Sequence, residues 1–187
     1  RIIDGQHRFE VAKQIKSPIY FIESDKINLK QIALINSRQD KWTEMDFLRA
    51  YIKIGIEDYI MLQKVMRNYR IAISTAYSLL MVNRVSARGE VGQLFRDGEF
   101  KVNHYKETIE LLELSHSIFD RYNFYTDRHL ISAVQLLKKK GKCDFNHLRQ
   151  KVKEAPMIMD KQATVKDYIY NIERVYNHKK KERQIIF

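Results

Sequence analysis

The sequence predicts a mainly α-helical protein, with a small α/β corner followed by a helical bundle that contains a helix–turn–helix. Only two prolines and six glycines occur in 187 residues, so few positions interrupt a helix. Apolar side chains recur at helical spacing from about residue 28 onward. Before that point, short β-branched runs flank one helical pattern, which is typical of a strand–helix–strand unit.

The α/β corner is predicted from the first two dozen residues. Ile2-Ile3 is a short β-branched run that stops at Asp4-Gly5, a turn signal. A helix is expected from His7 to Ile15, with Phe9, Ala12 and Ile15 inward, ended by Lys16-Ser17-Pro18. Ile19–Ile22 is expected to form a second strand. Because two strands do not make a stable sheet, further strands are expected upstream of residue 1 or from a partner.

The remaining chain predicts a succession of helices. Thr43 and Asp46 resemble a capping box with Asp in place of Glu or Gln, and Trp42 beside them suggests a hydrophobic staple or a core anchor. Gly141 is expected to end a helix, and Pro156 to stop another. The expected helices cover about residues 29–36, 44–55, 57–68, 71–81, 90–96, 103–119, 127–140, 145–154 and 164–179. The predicted domains are residues 1–40 (α/β), 41–102 (helix–turn–helix) and 103–187 (helical, role open).

Composition narrows the classes of protein. A hydrophobic share of 44% with eleven Tyr and nine Phe indicates a folded chain. No apolar stretch reaches the roughly 18–20 residues that cross a bilayer, so no membrane partner is expected. The single Cys143 excludes an intrachain disulfide and a cysteine-based zinc site. The histidines are scattered, so no metal site is predicted, and the cytoplasm is the expected compartment.

The net charge of +11 attracts nucleic acid or anionic lipid. Between Lys64 and Arg88 the chain contains five basic residues and no acidic one. The lysine runs 138–140 and 179–181 lie at predicted helix ends, where they can also complement the helix dipole. The terminal helix with its lysines is open to three interpretations: a dimerisation element, a second DNA contact or a solvated end.

Residues 57–81 have the pattern of a helix–turn–helix, in which the second helix enters the DNA major groove. The predicted buried side of that helix consists of Ala72, Ala76, Leu79 and Leu80. The predicted groove contacts are Ser74, Thr75, Tyr77 and Ser78. The predicted phosphate contacts are Arg67, Arg70, Arg84 and Arg88. The alternative is a plain helical hairpin with a serine-rich solvent face.

The opening turn is also a candidate anion site. Free N–H groups at a helix start bind phosphate, and Arg8 there could add a forked donor. The alternative is an ordinary strand–helix corner with a solvated arginine.

The opening turn, the segment 35–39 and the helix–turn–helix, in this order, resemble the ParB family of plasmid and chromosome partition proteins. The likeness rests on Ile2 to Arg8, on 35–39 and on the helix–turn–helix ending in Leu94 to Phe100, and covers about residues 1–102. It implies a nucleotide-binding domain beside a DNA-binding one, with CTP or another nucleotide with Mg as ligand. It also implies a homodimer in the prokaryotic cytoplasm, associated with nucleoid or plasmid, acting in plasmid, phage or chromosome partition or in transcription control. The implied nucleotide or phosphate contacts are Gly5, Gln6, His7, Arg8, Asn36 and Arg38.

The Asp-Gly-x-His-Arg form is also similar to sulfiredoxin and to free-serine kinases. Gln6 stands where sulfiredoxin has its cysteine, so that redox chemistry is not expected. A nucleotide-dependent kinase or a nuclease would use Asp4 to hold a metal or act as a base and Arg8 to hold a phosphate. A turn-forming role for Asp4 is the simpler interpretation. The leading hypothesis is a double-stranded DNA-binding protein, and the alternative is this phosphate-handling enzyme.

Overall fold

The described regular structure of the chain is helical. A computed structural model describes residues 2, 5–21, 23, 27–28, 30–31, 33, 42–85 and 89–186, and for His7 and Arg8 the backbone only. The helices are α1 (Gln6–Ile15), α2 (Glu44–Lys53), α3 (Glu57–Tyr69), α4 (Ile73–Val82), α5 (Gly89–Arg96), α6 (Tyr105–Phe119), α7 (Arg128–Lys140), α8 (Phe145–Glu154) and α9 (Val165–Tyr176), with a 3₁₀ turn at Pro156–Ile158. The mainly helical prediction is confirmed.

The predicted α/β corner is not seen in the described part of the N-terminal segment. Residues 19–21 form no strand, and Ile2 lies outside regular structure; Ile3, Asp4 and Ile22 lie outside the described residues. A β-rich run becomes a strand only when a neighbour accepts and donates its hydrogen bonds, and no described segment does so here. Helix α1 forms as predicted, but Phe9 and Ile15 are exposed rather than inward.

The N-terminus of α2 is fixed by local interactions that the sequence predicts. Thr43 Oγ1 accepts a hydrogen bond from Asp46 N (3.3 Å), and Asp46 Oδ2 accepts one from Thr43 N (3.0 Å). The ring of Trp42 packs on Phe47, with 5.2 Å between centroids. The capping box and the hydrophobic staple are therefore both confirmed.

An aromatic cluster joins α2, α3 and α5. The rings of Tyr51 and Tyr59 lie 4.6 Å apart, and Tyr59 also contacts Phe95 and Phe100. The hydroxyl of Tyr59 donates to Phe95 O (2.7 Å), and that of Tyr51 donates to Arg96 O (2.5 Å). These bonds satisfy carbonyls at the end of α5 that have no partner inside the helix.

Helices α6 to α9 continue the same core. Gly141 caps α7 with a φ of 69°, as predicted for a C-terminal glycine. The buried cluster includes Leu80 of α4, Leu112 of α6, Val134 of α7 and Tyr168 of α9. Packing is thus continuous across residue 102, and the division into two functional units there stays a prediction.

Candidate nucleic-acid interface

Helices α3 and α4 are joined by a three-residue turn, the spacing expected of a helix–turn–helix. Helix α3 ends at Tyr69, and Arg70 takes the left-handed conformation with a φ of 53°. Ala72 is the N-cap residue of α4, and no side chain caps the N–H groups of that helix's first turn. The turn therefore presents an uncapped helix start beside a basic side chain.

The predicted groove-facing residues of α4 are mostly enclosed. Thr75, Tyr77 and Ser78 are buried, whereas Ala72, predicted to be buried, is exposed. Ser74 is half-buried. The prediction that Thr75, Tyr77 and Ser78 face a DNA groove is therefore wrong for this arrangement of the chain.

The contacts of Tyr77 explain why that face is closed. Its hydroxyl donates to Glu44 Oε1 (2.9 Å), and its ring stacks on Phe95 at 5.1 Å. A Cβ added at Gly92 would lie 3.2 Å from the Tyr77 hydroxyl, so α5 approaches α4 closely at this point. Sequence reasoning missed a usable signal: residues 73–82 contain no charged side chain, and a helix without a charged face is usually buried on all sides.

The predicted phosphate contacts remain accessible. Arg67, Arg70 and Arg84 are exposed, and none makes an ion pair within the described residues. One carboxylate lies near this end of α3: the Tyr69 hydroxyl contacts Glu113 Oε1 at 3.4 Å. Burial, and then this contact, raises the pKa of Tyr69. Arg88 lies outside the described residues.

The candidate nucleotide loop is described only in part. Gly5 has a φ of 75° directly before α1, so a glycine is needed there for the turn. The Gln6 amide donates to Ile2 O at 3.3 Å. Asp4, Asn36 and Arg38 lie outside the described residues, and so do the side chains of His7 and Arg8. The nucleotide site and the enzyme alternative therefore stay predictions.

A metal site, a ligand cavity and a reactive cysteine are the other kinds of site that these residue types could form. No group of His, Cys, Asp or Glu among the described residues is placed to hold a metal ion. A crevice lined by Tyr69, His116 and Tyr125 has a volume of about 10 Å³, room for a single water molecule and not for a nucleotide. Burial raises the pKa of the Cys143 thiol to about 12, so this cysteine is unreactive at neutral pH.

Sequence reasoning gave the C-terminal third too little weight. Residues 138–187 contain fourteen Lys or Arg and six Asp or Glu, so the last 50 residues hold +8 of the net charge of +11. The lysines after α7 and α9 are mostly exposed. They form the second basic surface of the molecule, and their runs in the sequence are the signal that could have found it.

Comparisons with known proteins add no relative. No family model matches the chain, and neither the curated proteins nor the solved structures contain a significant match. None of the helices in the described part of the chain has both the length and the apolar character needed to cross a membrane. The resemblance to the ParB family stays a prediction that rests on the residues quoted above.

Proposed function

We propose that this protein binds double-stranded DNA mainly through the phosphate backbone, using Arg67 and Arg70 at the α3–α4 turn and Arg84 after α4. The observation that carries the proposal is the exposure of Arg67, Arg70 and Arg84, without an ion-pair partner among the described residues, in a stretch that contains no acidic residue. Arginine binds phosphate through a fork of donors, and a stretch without acidic residues adds no repulsion of its own to the duplex.

The positions of these arginines suit a DNA groove. Arg70 lies three residues before the first residue of α4 and Arg84 lies two residues after its last, and the ten residues of α4 span about 15 Å at 1.5 Å per residue. The major groove of B-DNA is about 12 Å wide. We propose that the arginines beyond the two ends of α4 contact phosphates on opposite edges of one groove.

The burial of α4 shapes the kind of recognition that we propose. Because Thr75, Tyr77 and Ser78 are enclosed, base edges are not available to them, and Ser74 and the uncapped first turn of α4 are the parts of this helix that approach the DNA. Phosphate contacts position a protein on DNA but carry little sequence information. We therefore propose weakly sequence-selective binding. A homodimer and a role in partition or transcription control, as the ParB resemblance implies, belong to the same proposal.

The test is the salt dependence of DNA binding. Fluorescence anisotropy with a random-sequence duplex compares the full chain with an Arg67→Gln, Arg70→Gln, Arg84→Gln triple variant. Each lost phosphate contact lowers the slope of log Kobs against log[salt] by about 0.9, so the triple variant is expected to lose roughly 2 to 3 from its slope.

A control variant separates this effect from net charge. Lys13, Lys53 and Lys161 are exposed basic residues away from the α3–α4 turn, and their change to Gln removes the same charge. This control is expected to keep most of the slope. Absence of DNA binding by the full chain at low salt, or equal losses in the two triple variants, would contradict the proposal.

A further inference from the structure

Two lysine runs that are about forty residues apart in the sequence follow or end helices whose C-terminal ends lie on the same side of the bundle. Helices α7 and α9 pack side by side and run in the same direction. Phe124, before α7, contacts Tyr168 near the start of α9 (6.1 Å between rings), and His147, after α7, contacts Tyr176 at the end of α9 (4.7 Å). The lysines that follow each helix are therefore brought to the same end of the bundle.

The second run lies on a loop whose ends are held together. Asn177 Nδ2 donates to Gln184 O (2.8 Å), and Gln184 N donates to Asn177 Oδ1 (2.7 Å). Beyond the loop, Ile186 is fully buried and its N–H donates to Glu173 Oε2 (3.4 Å). Arg183 forms an ion pair with Glu173 (2.8 Å). The loop 177–184 is thus preorganised, so less conformational freedom is lost when it binds a ligand.

Inside this loop the lysines have different roles. Lys180 lies over the Tyr176 ring at 4.3 Å and its Nζ contacts Gln184 Oε1 (3.2 Å), so it helps to hold the loop. Lys179 takes a positive φ of 58°, and both it and Lys181 are exposed. Two ammonium groups are therefore presented outward from a fixed backbone.

The α7 side of this lysine surface lies beside the arginine surface of the proposed function. Gln135 Nε2 of α7 donates to Asn83 O (2.9 Å) and to Asn83 Oδ1 (3.0 Å). Asn83 is the neighbour of Arg84, and Lys139 lies one helical turn beyond Gln135. A basic track therefore leads from Arg84 along the end of α7 to Lys142.

Most of the nearby carboxylates are already engaged. Glu110 pairs with Lys138 (3.3 Å) and Glu154 with Lys151 (2.7 Å). The Lys151 contact, with smaller contributions from Lys179 and His178, lowers the pKa of Glu154. Asp144 accepts hydrogen bonds from two backbone N–H groups of α8. Glu182 is the exposed acidic residue within the loop. Its single negative charge is smaller than the positive charge of the four exposed lysines, Lys139, Lys142, Lys179 and Lys181.

We infer that the end of α7 and the loop 177–184 form a second phosphate-binding surface for the same DNA duplex that the α3–α4 turn contacts. The inference rests on the proposed function, because it extends the path of that duplex. A nucleic-acid backbone is favoured over a lipid surface because neither 138–142 nor 177–184 contains an apolar residue. Amphipathic segments that lie in a membrane surface bury an apolar face as well.

The first test removes the exposed charges of the lysine surface. A variant with Lys139→Gln, Lys142→Gln, Lys179→Gln and Lys181→Gln is compared with the full chain by anisotropy between about 50 and 200 mM salt. Loss of four phosphate contacts lowers the salt slope by roughly 3 to 4. The matched control changes Lys13, Lys53, Lys161 and Lys166 to Gln, exposed residues outside both stretches. Equal slopes for the two quadruple variants would overturn the inference.

The second test loosens the loop without changing its charge. Asn177→Ala removes both hydrogen bonds to Gln184. We expect a several-fold weaker affinity for the duplex with nearly the same salt slope, because the charges stay but their positions become less fixed. Circular dichroism and thermal unfolding verify that the variant is folded. An unchanged affinity would overturn the role of the closed loop.

The outcomes separate this inference from the proposed function. If the arginine triple variant loses its slope and the lysine quadruple variant does not, the inference fails and the proposed function stands. If the lysine variant alone loses its slope, the proposed arginine surface fails. Tighter binding to phosphatidylserine vesicles than to duplex, per accessible phosphate, would overturn a nucleic-acid role for the lysine surface.

Discussion

The N-terminal segment and the helical body place their large apolar side chains in opposite environments. In residues 5–21, Ile15, Phe21 and Tyr20 are 68%, 75% and 100% exposed. In residues 42–186, by contrast, side chains of the same types form one core, with Tyr59 and Phe95 fully buried. Both regions have apolar residues at regular spacing, so the spacing alone does not decide burial.

The difference lies in what each region has to pack against. Among the described residues before Trp42, Ala33 is the one that belongs to the common core. Ala12 is buried, but outside that core. In the body, every helix from α2 to α9 has a neighbour that covers its apolar side. A helix pattern therefore predicts a helix, whereas burial requires a second element at the right place.

The largest expected effect contrasts one aromatic side chain from each region. Phe95→Ala removes a fully buried ring from the cluster with Tyr59 and Tyr77, and we expect it to lower the free energy of unfolding by about 3–5 kcal/mol. Tyr20→Ala removes a fully exposed ring and is expected to change it by less than about 0.5 kcal/mol. Urea unfolding followed by circular dichroism measures both. Similar losses would mean that Tyr20 is buried in solution.

The next effect tests a close contact where the two regions meet. A Cβ at Gly98, where φ is 76°, would lie 2.9 Å from the Tyr51 ring and 3.1 Å from Lys30. Gly141 has a similar φ of 69° but nothing within 4 Å of such a Cβ. Both changes to Ala strain the backbone by roughly 1 kcal/mol or more.

Their difference isolates the contact. We expect Gly98→Ala to destabilise the protein by about 1–2 kcal/mol more than Gly141→Ala, because Tyr51 is held by its hydrogen bond to Arg96. Thermal unfolding of the two variants provides the measurement. Equal destabilisation would show that the Tyr51 ring yields easily.

The smallest effect concerns the start of the body at α2. Hydrogen bonds from the Thr43 side chain and then from its backbone lower the pKa of the Asp46 carboxyl. Since the folded pKa lies below the unfolded value of about 3.9, this stabilisation is fully present above that value. It is lost as the pH falls through the folded pKa.

Asp46→Asn is therefore expected to lower stability at neutral pH by up to about 1 kcal/mol. The difference from the unchanged chain should shrink below about pH 4. Unfolding midpoints recorded across an acid series give the comparison. A difference that is constant with pH would show that the carboxylate charge does not contribute to the cap.

Several parts of the fold could be predicted from the sequence because they depend on neighbouring residues. The capping box of Thr43 and Asp46, the staple of Trp42 on Phe47 and the glycine cap at Gly141 all act within one or two turns of a helix. The limits of α3 and α7 follow from such local signals as well. The unpaired arginines were also foreseen as exposed, because a charged side chain is rarely buried without a partner.

The burial of α4 was harder to predict because it depends on distant residues. The apolar pattern of α4 is compatible with burial of either of two faces. The face that carries Tyr77 is buried because Glu44 of α2 and Phe95 of α5 contact it. The predicted strand at 19–22 is not formed by its described residues, 19–21, because a strand needs a hydrogen-bonded neighbour.

The sequence by itself determined the helical class, most helix ends and a basic charge concentrated in two stretches, because propensity, capping and charge are properties of short segments. The tertiary structure decided that the middle of α4 is enclosed and that α1 keeps its apolar side chains exposed. It also decided that lysines 139, 142, 179 and 181 share one end of the bundle. Each of these depends on which helix packs beside which, and that choice is made by the whole core at once.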